Sequence, residues 1–254
     1  MRTVIALHGF TGGGGDFAPL AEALPEFNWV TPDLPGHAPD PAAPGAPSDD
    51  CRLETSLRYL DSIVAKNAKP APALLGYSLG GRLALRYALE KPGRIAALVL
   101  VGTSPGTENA AERTARQKED EALAKKILSG GITAFLDEWQ RRPLIATQAR
   151  LPAAWRARMQ DQRLRLRKEG LAACLRDFGP GTQESVLGRM GELRLPVLLC
   201  AGAEDEKYVE AAKAMQAHCP QAELFLVPAA GHLAHLENRE AFATGLRQFL
   251  AKIK

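Results

Sequence analysis

Gly76-Tyr77-Ser78-Leu79-Gly80-Gly81 fits G-x-S-x-G, a nucleophile elbow, in which a serine stands on a sharp turn from strand to helix. Both flanks suit that turn. Ala71-Pro72-Ala73-Leu74-Leu75 is short and apolar enough for a buried strand. Leu79 to Leu89 carries Leu83, Ala84, Tyr87 and Ala88 at helical spacing. The glycines answer a steric need, because a turn this tight tolerates almost no side chain where the strand and helix cross.

Working outward, short apolar runs alternate with helical patterns, as parallel βαβ units do. Strands are expected at Thr3–Leu7, Trp29–Pro32, Ala73–Gly76, Ala96–Val101, Pro196–Ala201 and Glu223–Val227. Helices are expected at Phe17–Leu24, Leu53–Lys66, Leu79–Glu90, Tyr208–His218 and Glu240–Lys252. The alternation stops between about Ser104 and Leu195, where the composition is charged and helical. The reading is a core made of residues 1–103 and 196–254, with 104–195 inserted as a helical lid over the carboxyl ends of the sheet. The first strand starts almost at residue 1, so a short version of the sheet is expected. Pro39 to Pro47 reads as a stiff loop.

A chain of 254 residues can bury a full core. No apolar run reaches membrane-spanning length. The N-terminus runs into His8-Gly9-Phe10 without a small-residue cleavage site, so it reads as a strand and not a signal peptide. Cys51, Cys174, Cys200 and Cys219 lack metal-ligand or redox spacing and read as reduced thiols of a cytoplasmic protein. The net charge is +3, unevenly spread: residues 105–195 hold 17 Lys/Arg against 12 Asp/Glu. Part of that arginine excess is expected to face an anionic ligand. No nucleic-acid motif appears and aromatics do not interleave with the charges, so nucleic acid is not the expected partner; without a spanning run, neither is a membrane.

A serine hydroxyl needs an imidazole to take its proton and a carboxylate to orient that imidazole. In doubly wound sheets with this elbow the chain order is Ser, acid, His, each on a loop after a strand. His232 follows Leu224-Phe225-Leu226-Val227. Glu204, Asp205 and Glu206 all follow the strand ending at Ala201. His235 reads as structural, His218 as solvent-facing, and His8 and His37 as fixing loops by hydrogen bonds. Backbone donors for an oxyanion are expected at Leu79, opening the helix, and at Phe10, after the first strand. The run Gly12 to Gly15 suggests phosphate binding, but no Gly-Lys-Ser/Thr follows, which excludes a P-loop. Neither a cofactor nor a metal is expected.

These residues carry a resemblance. With Asp33-Leu34-Pro35-Gly36-His37, Glu112-Arg113-Thr114-Ala115-Arg116-Gln117, Gly181-Thr182-Gln183 and Gly202-Ala203-Glu204-Asp205-Glu206-Lys207, the chain resembles the 2-succinyl-6-hydroxy-2,4-cyclohexadiene-1-carboxylate synthases of menaquinone (vitamin K2) biosynthesis. The resemblance implies the α/β-hydrolase fold: a mostly parallel sheet of about six strands flanked by helices, with the lid before the last two strands. It implies a lyase in which Ser78, His232 and Asp205 remove a ring proton and pyruvate departs. It also implies a small polycarboxylate substrate held by Arg82, Arg116 and Arg163, with Tyr77 and Trp139 as active-site aromatics. Arg158, Arg165 and Arg167 compete with Arg163 for its place. Leu164-Arg165-Leu166-Arg167 stands where the family has an asparagine, and Ala38 where it has a glycine. A monomer or small homo-oligomer is expected. The same triad would serve a carboxylesterase or a carbon–carbon bond hydrolase acting through an acyl-enzyme. A ligand-binding protein without catalysis is the remaining alternative, disfavoured by an intact triad.

Overall fold

The computed structural model describes residues 1–253; Lys254, assigned above to the core, lies outside them. In chain order the elements are β1 (Thr3–Leu7), α1 (Ala18–Ala23), β2 (Asn28–Val30), α2 (Leu53–Lys66), β3 (Ala73–Tyr77), α3 (Leu79–Glu90) and β4 (Ala97–Val101). There follow α4 (Ala110–Trp139), α5 (Pro143–Ala146), α6 (Ala153–Leu164) and α7 (Lys168–Phe178), then β5 (Val197–Gly202), α8 (Glu206–Ala217), β6 (Ala222–Val227), α9 (Ala234–Glu237) and α10 (Arg239–Ala251).

The six strands form one parallel sheet in the order β2-β1-β3-β4-β5-β6. Strands β1, β3, β4 and β5 are buried along their whole length, which is why they read as unbroken apolar runs. The edge strands β2 and β6 are partly open to solvent. Alternate strand residues feed two cores. Ile5, Leu7, Leu74 and Leu98 pack with Leu60, Leu83 and Met215 of α2, α3 and α8. Val4, Ala6, Leu75 and Val99 pack with Leu20, Phe242 and Leu246 of α1 and α10.

The chain moves from β1 outward to β2, then crosses back to β3 on the other side of β1. This reversal opens a crevice at the carboxyl ends of β1 and β3, the place where such sheets bind ligands.

The insertion between β4 and β5 has its own apolar core of Leu123, Ile127, Phe135, Leu136, Leu171 and Leu175. Helix α4 breaks at Gly131, whose φ of 78° and ψ of 175° leave helical space; glycine adopts that conformation without strain. The break redirects the chain so that Trp139 packs at 5.4 Å on the Phe10 ring. Both ends of the insertion meet in one narrow neck. Thr107 N–H donates to the Gln183 carbonyl at 2.9 Å, and Val186 N–H to the Pro105 carbonyl at 2.8 Å. Beyond the neck, Val186, Met190 and Leu193 pack into the sheet's core, so the covering helices lie between 107 and 183.

Candidate active site

Strand β3 ends at Tyr77 and α3 begins at Leu79, so Ser78 alone makes the turn. Its φ of 52° and ψ of −108° are unfavourable for a residue with a Cβ. Hydrogen bonds hold it there. Ser78 N–H donates to the Val101 carbonyl (2.9 Å), and its own carbonyl accepts from Arg82 N–H (3.1 Å) and Thr103 Oγ1 (2.8 Å). The crossing beneath is tight. A Cβ on Gly80 would stand 2.4 Å from the Leu7 carbonyl oxygen, and one on Gly76 2.4 Å from that of Gly80.

Ser78 Oγ lies 3.1 Å from His232 Nε2, and His232 Nδ1 lies 2.7 Å from Asp205 Oδ2. The three side chains come from the ends of β3, β5 and β6. Of the three neighbouring acids, only Asp205 is buried; Glu204 points outward to Arg150 at 2.5 Å. The other histidines do not face Ser78. His8 Nε2 accepts from Leu34 N–H at 2.9 Å, so its Nδ1–H donates to the Gly9 carbonyl. His37 Nδ1 meets the Pro35 carbonyl at 3.0 Å. Burial lowers His8 to about 4 and His37 to about 3, so both are neutral near pH 7. His218 is exposed. His235 is fully buried among Tyr77, Phe17 and Phe242, with neither ring nitrogen hydrogen-bonded.

No backbone acceptor within the described residues takes the N–H of Phe10 or of Leu79, while Gly80 N–H donates to the His8 carbonyl. The Leu79 amide is thus left open at the positive end of α3, next to the serine, and Phe10 lines the same cavity. Most amides of the glycine run are occupied instead, Gly12 N–H by the Gly9 carbonyl at 3.0 Å. Gly14 N–H donates to Asp33 (2.8 Å) and Gly13 N–H to Asp16 (3.2 Å), which removes the phosphate-cradle reading from a second direction.

A cavity of about 240 Å³ opens above Ser78, bounded by the insertion. Phe10, Tyr77, Leu79, Arg82, Arg116, Trp139 and His232 all line it. Arg82, 8% exposed, reaches among the described residues only the Phe178 carbonyl (3.2 Å), and its Nε has no partner among them. Burial lowers its pKa, but a guanidinium stays charged. Arg116 is aimed by Asp120, whose Oδ1 accepts from its Nε at 3.0 Å and whose Oδ2 accepts from Gly181 N–H at 3.1 Å. The indole N–H of Trp139 is buried without an acceptor. Burial raises the Tyr77 hydroxyl well above its ordinary range, with Arg163 opposing, so it stays protonated.

Arg163 is placed differently. It lines a neighbouring cavity of about 400 Å³ between α5 and α6, and Gln148 Oε1 accepts from its Nη2 at 2.7 Å. Ile145 forms a wall common to both cavities.

The alpha/beta hydrolase fold family matches residues 2–239. A Bacillus subtilis (strain 168) protein, provisionally named 2-succinyl-6-hydroxy-2,4-cyclohexadiene-1-carboxylate synthase, is 36% identical over 99% of this chain and 91% of its own. The Serratia proteamaculans (strain 568) protein of that name is 31% identical over 97% of this chain and 92% of its own. This chain belongs to the 2-succinyl-6-hydroxy-2,4-cyclohexadiene-1-carboxylate synthase family of the alpha/beta hydrolase fold. The solved structure of MenH from S. aureus superposes with a TM-score of 0.92 at 33% identity, covering 99% of this chain and 94% of that one. An enol-lactonase from Burkholderia xenovorans LB400 shares the fold, with a TM-score of 0.80 at 19% identity over 99% and 92% of the two chains.

In this synthase-family chain the cavity wall also holds residues that sequence reading left unassigned. Lys207 and Tyr208 line it from the first turn of α8, and the Tyr208 ring lies tilted 4.5 Å from the His232 ring. Their place just after Asp205, at a strand's carboxyl end, is the signal that could have found them. Ser104, Thr107, Cys174 and Leu175 also contribute, brought in by how the insertion folds back. All four cysteines are buried and free.

Proposed function

We propose that this chain eliminates pyruvate from 2-succinyl-5-enolpyruvyl-6-hydroxy-3-cyclohexene-1-carboxylate, giving 2-succinyl-6-hydroxy-2,4-cyclohexadiene-1-carboxylate in menaquinone biosynthesis. The names of substrate and product define the bond changes. The proton on C2, beside the succinyl ketone, leaves. A C2–C3 double bond forms, the C3–C4 double bond moves to C4–C5, and the C5–O bond breaks. The departing enolate of pyruvate takes up one proton.

Ser78 Oγ passes its proton to His232 Nε2 and takes the C2 proton; Asp205 holds the imidazole in the required tautomer and stabilises it once charged. His232 then returns its proton toward the departing group. The ketone oxygen becomes an enolate, which the Phe10 and Leu79 amides receive; one such donor is worth about 3 kcal/mol of barrier. No acyl-enzyme forms. The single observation that carries this reading is the wall facing Ser78. Arg82 Nε and Trp139 Nε1 are buried without acceptors, and Arg116 and Lys207 add two more cations to the same cavity. A buried guanidinium with a free Nε, a buried free indole N–H and two further cations on one wall suit a substrate with several carboxylates and oppose a neutral ester. Arg163 serves the same substrate from behind Ile145, after a shift of the Gln148 contact.

The ligand is thus a small polyanion. Neither nucleic acid nor a membrane is proposed as a partner, and no helix among the described residues is long and apolar enough to cross a bilayer. A cytoplasmic monomer or small homo-oligomer completes the proposal. The test is to supply the enolpyruvyl cyclohexene and follow pyruvate. Wild-type protein should release it stoichiometrically with the diene, and Ser78→Ala should bind the substrate but release none. Turnover of small neutral esters with an acyl-enzyme burst, and no pyruvate, would establish the hydrolase reading instead.

A further inference from the structure

Glu237 stands outside the triad and the cavity, yet its carboxylate brackets the catalytic histidine. Oε2 accepts from Gly231 N–H at 2.8 Å, and Oε1 from Leu233 N–H at 3.1 Å. These are the residues on either side of His232. Oε1 also accepts from the Thr147 hydroxyl at 2.9 Å, and Thr147 opens the short helical turn Thr147–Arg150 of the insertion. The contact at that point is close. A Cβ on Gly231 would lie 2.6 Å from Thr147 Oγ1 and 2.8 Å from its Cγ2. Glu237 itself ends α9, which is anchored by buried Ala234, His235 and Leu236. The loop carrying the acid joins the same assembly, since Glu204 N–H donates to the Ala230 carbonyl at 2.9 Å.

We infer that Glu237 is a positioning residue that couples the seating of the helical insertion to the setting of His232. Two backbone hydrogen bonds to one carboxylate fix the peptide planes on both sides of the imidazole. The third bond makes their geometry depend on whether Thr147 is in place. Charge-assisted bonds of this kind are short and directional, which suits them to hold a loop in register. When the insertion is seated over substrate, the carboxylate is fully satisfied and His232 is aligned with Ser78. When it lifts, Oε1 loses one donor and the loop gains freedom. A base is thereby set most accurately while the cavity is closed. The inference rests on His232 acting as the base and is independent of which substrate Ser78 serves.

The test uses Glu237→Gln, Thr147→Val and Thr147→Ser in the full chain, read by kinetics and by the proton resonance of the His232–Asp205 hydrogen bond. Glu237→Gln presents an amide N–H₂ or a weaker acceptor to two fixed donors. It should lower kcat about 10–100-fold, raise KM by about as much as Thr147→Val does, and shift or broaden the imidazole proton. Thr147→Val removes only the insertion's arm. It should raise KM several-fold, and Thr147→Ser should restore it. In the double variant Glu237→Gln/Thr147→Val, the valine should add no further loss. The resonance requires no substrate, so it reads Glu237 even if the lyase assignment fails. An unmoved resonance with wild-type kcat in Glu237→Gln would overturn the positioning role. Equal losses in Thr147→Val and Thr147→Ser, or strictly additive effects in the double variant, would overturn the coupling. Should Glu237→Gln fail to fold, the two Thr147 variants decide the coupling by themselves.

Discussion

At the scale of the residue, Arg82 carries most of the distinction between this site and an ester-hydrolysing one. Its guanidinium is buried beside the serine, its Nε is unpaired, and the Phe178 carbonyl is its one hydrogen-bond acceptor among the described residues. Under the proposed function, a substrate carboxylate completes that set. Arg82→Ala should raise KM about 10–100-fold, the loss of one charge-assisted hydrogen bond, with a smaller effect on kcat. Wild-type steady-state kinetics in that variant would remove Arg82 from the site. Arg82→Lys should recover little, because an ammonium cannot reproduce the planar fork. Residues fixed by the elbow were legible in the sequence, since helix geometry alone places Arg82 one turn after Ser78 on the same face. The acid was legible only through the family resemblance, which pointed to Asp205: by residue type alone, Glu204, Asp205 and Glu206 differ only in which one the backbone turns inward. Arg163 was named only through the family resemblance, in competition with Arg158, Arg165 and Arg167; which cavity it enters was not legible, because Gln148, fifteen residues away in sequence, sets its direction.

At the scale of the element, the elbow depends on how closely α3 crosses β1 and β3. Gly80→Ala would push a methyl against the Leu7 and His8 carbonyl oxygens, at 2.4 and 2.6 Å. Carbonyls of a central strand and its exit cannot retreat cheaply, so the variant should lose about 1–3 kcal/mol or more of stability. Its urea midpoint should fall by the corresponding amount; an unchanged midpoint would show that the crossing relaxes. The core elements were readable because their periodicity is strong. Helices α2 and α3 and strand β1 run between the very residues that the apolar pattern marks. The insertion was readable only as helical. Its internal path turns at Gly131 and depends on Phe135, Leu136, Leu171 and Leu175 meeting across forty residues, which no local pattern encodes.

At the scale of the whole molecule, burial makes the fold sensitive to acid. His8 is held near 4, and His37 and His235 near 3, against an ordinary 6.5. These groups stay neutral in the fold and take up protons once the chain unfolds. The unfolded chain therefore binds more protons below about pH 6.5, and the stability they support is full above that value and is lost as pH falls toward 4 and 3. Asp16 works in the opposite sense. Burial pushes it up to about 6 from 3.8, so it disfavours the fold as pH rises through that interval. Burial raises Asp120 and Asp177 in the same sense as Asp16, but the three imidazoles are displaced furthest and leave a net loss in acid: Tm should be lower at pH 4.5 than at pH 7. His235→Leu, which removes one buried imidazole from an apolar setting, should flatten that slope; an identical slope would exclude His235 as a contributor. The neck formed by Pro105, Thr107, Gln183 and Val186 has a consequence of another kind. Because the covering helices enter and leave the sheet at one point and fill a core of their own, they form a cassette. Exchange of that cassette between related chains would replace Arg116, Arg163, Trp139 and the Thr147 contact to Glu237 together, and leave Arg82 and the triad itself on the sheet. One such exchange could change the chemistry asked of the same serine in a single evolutionary step.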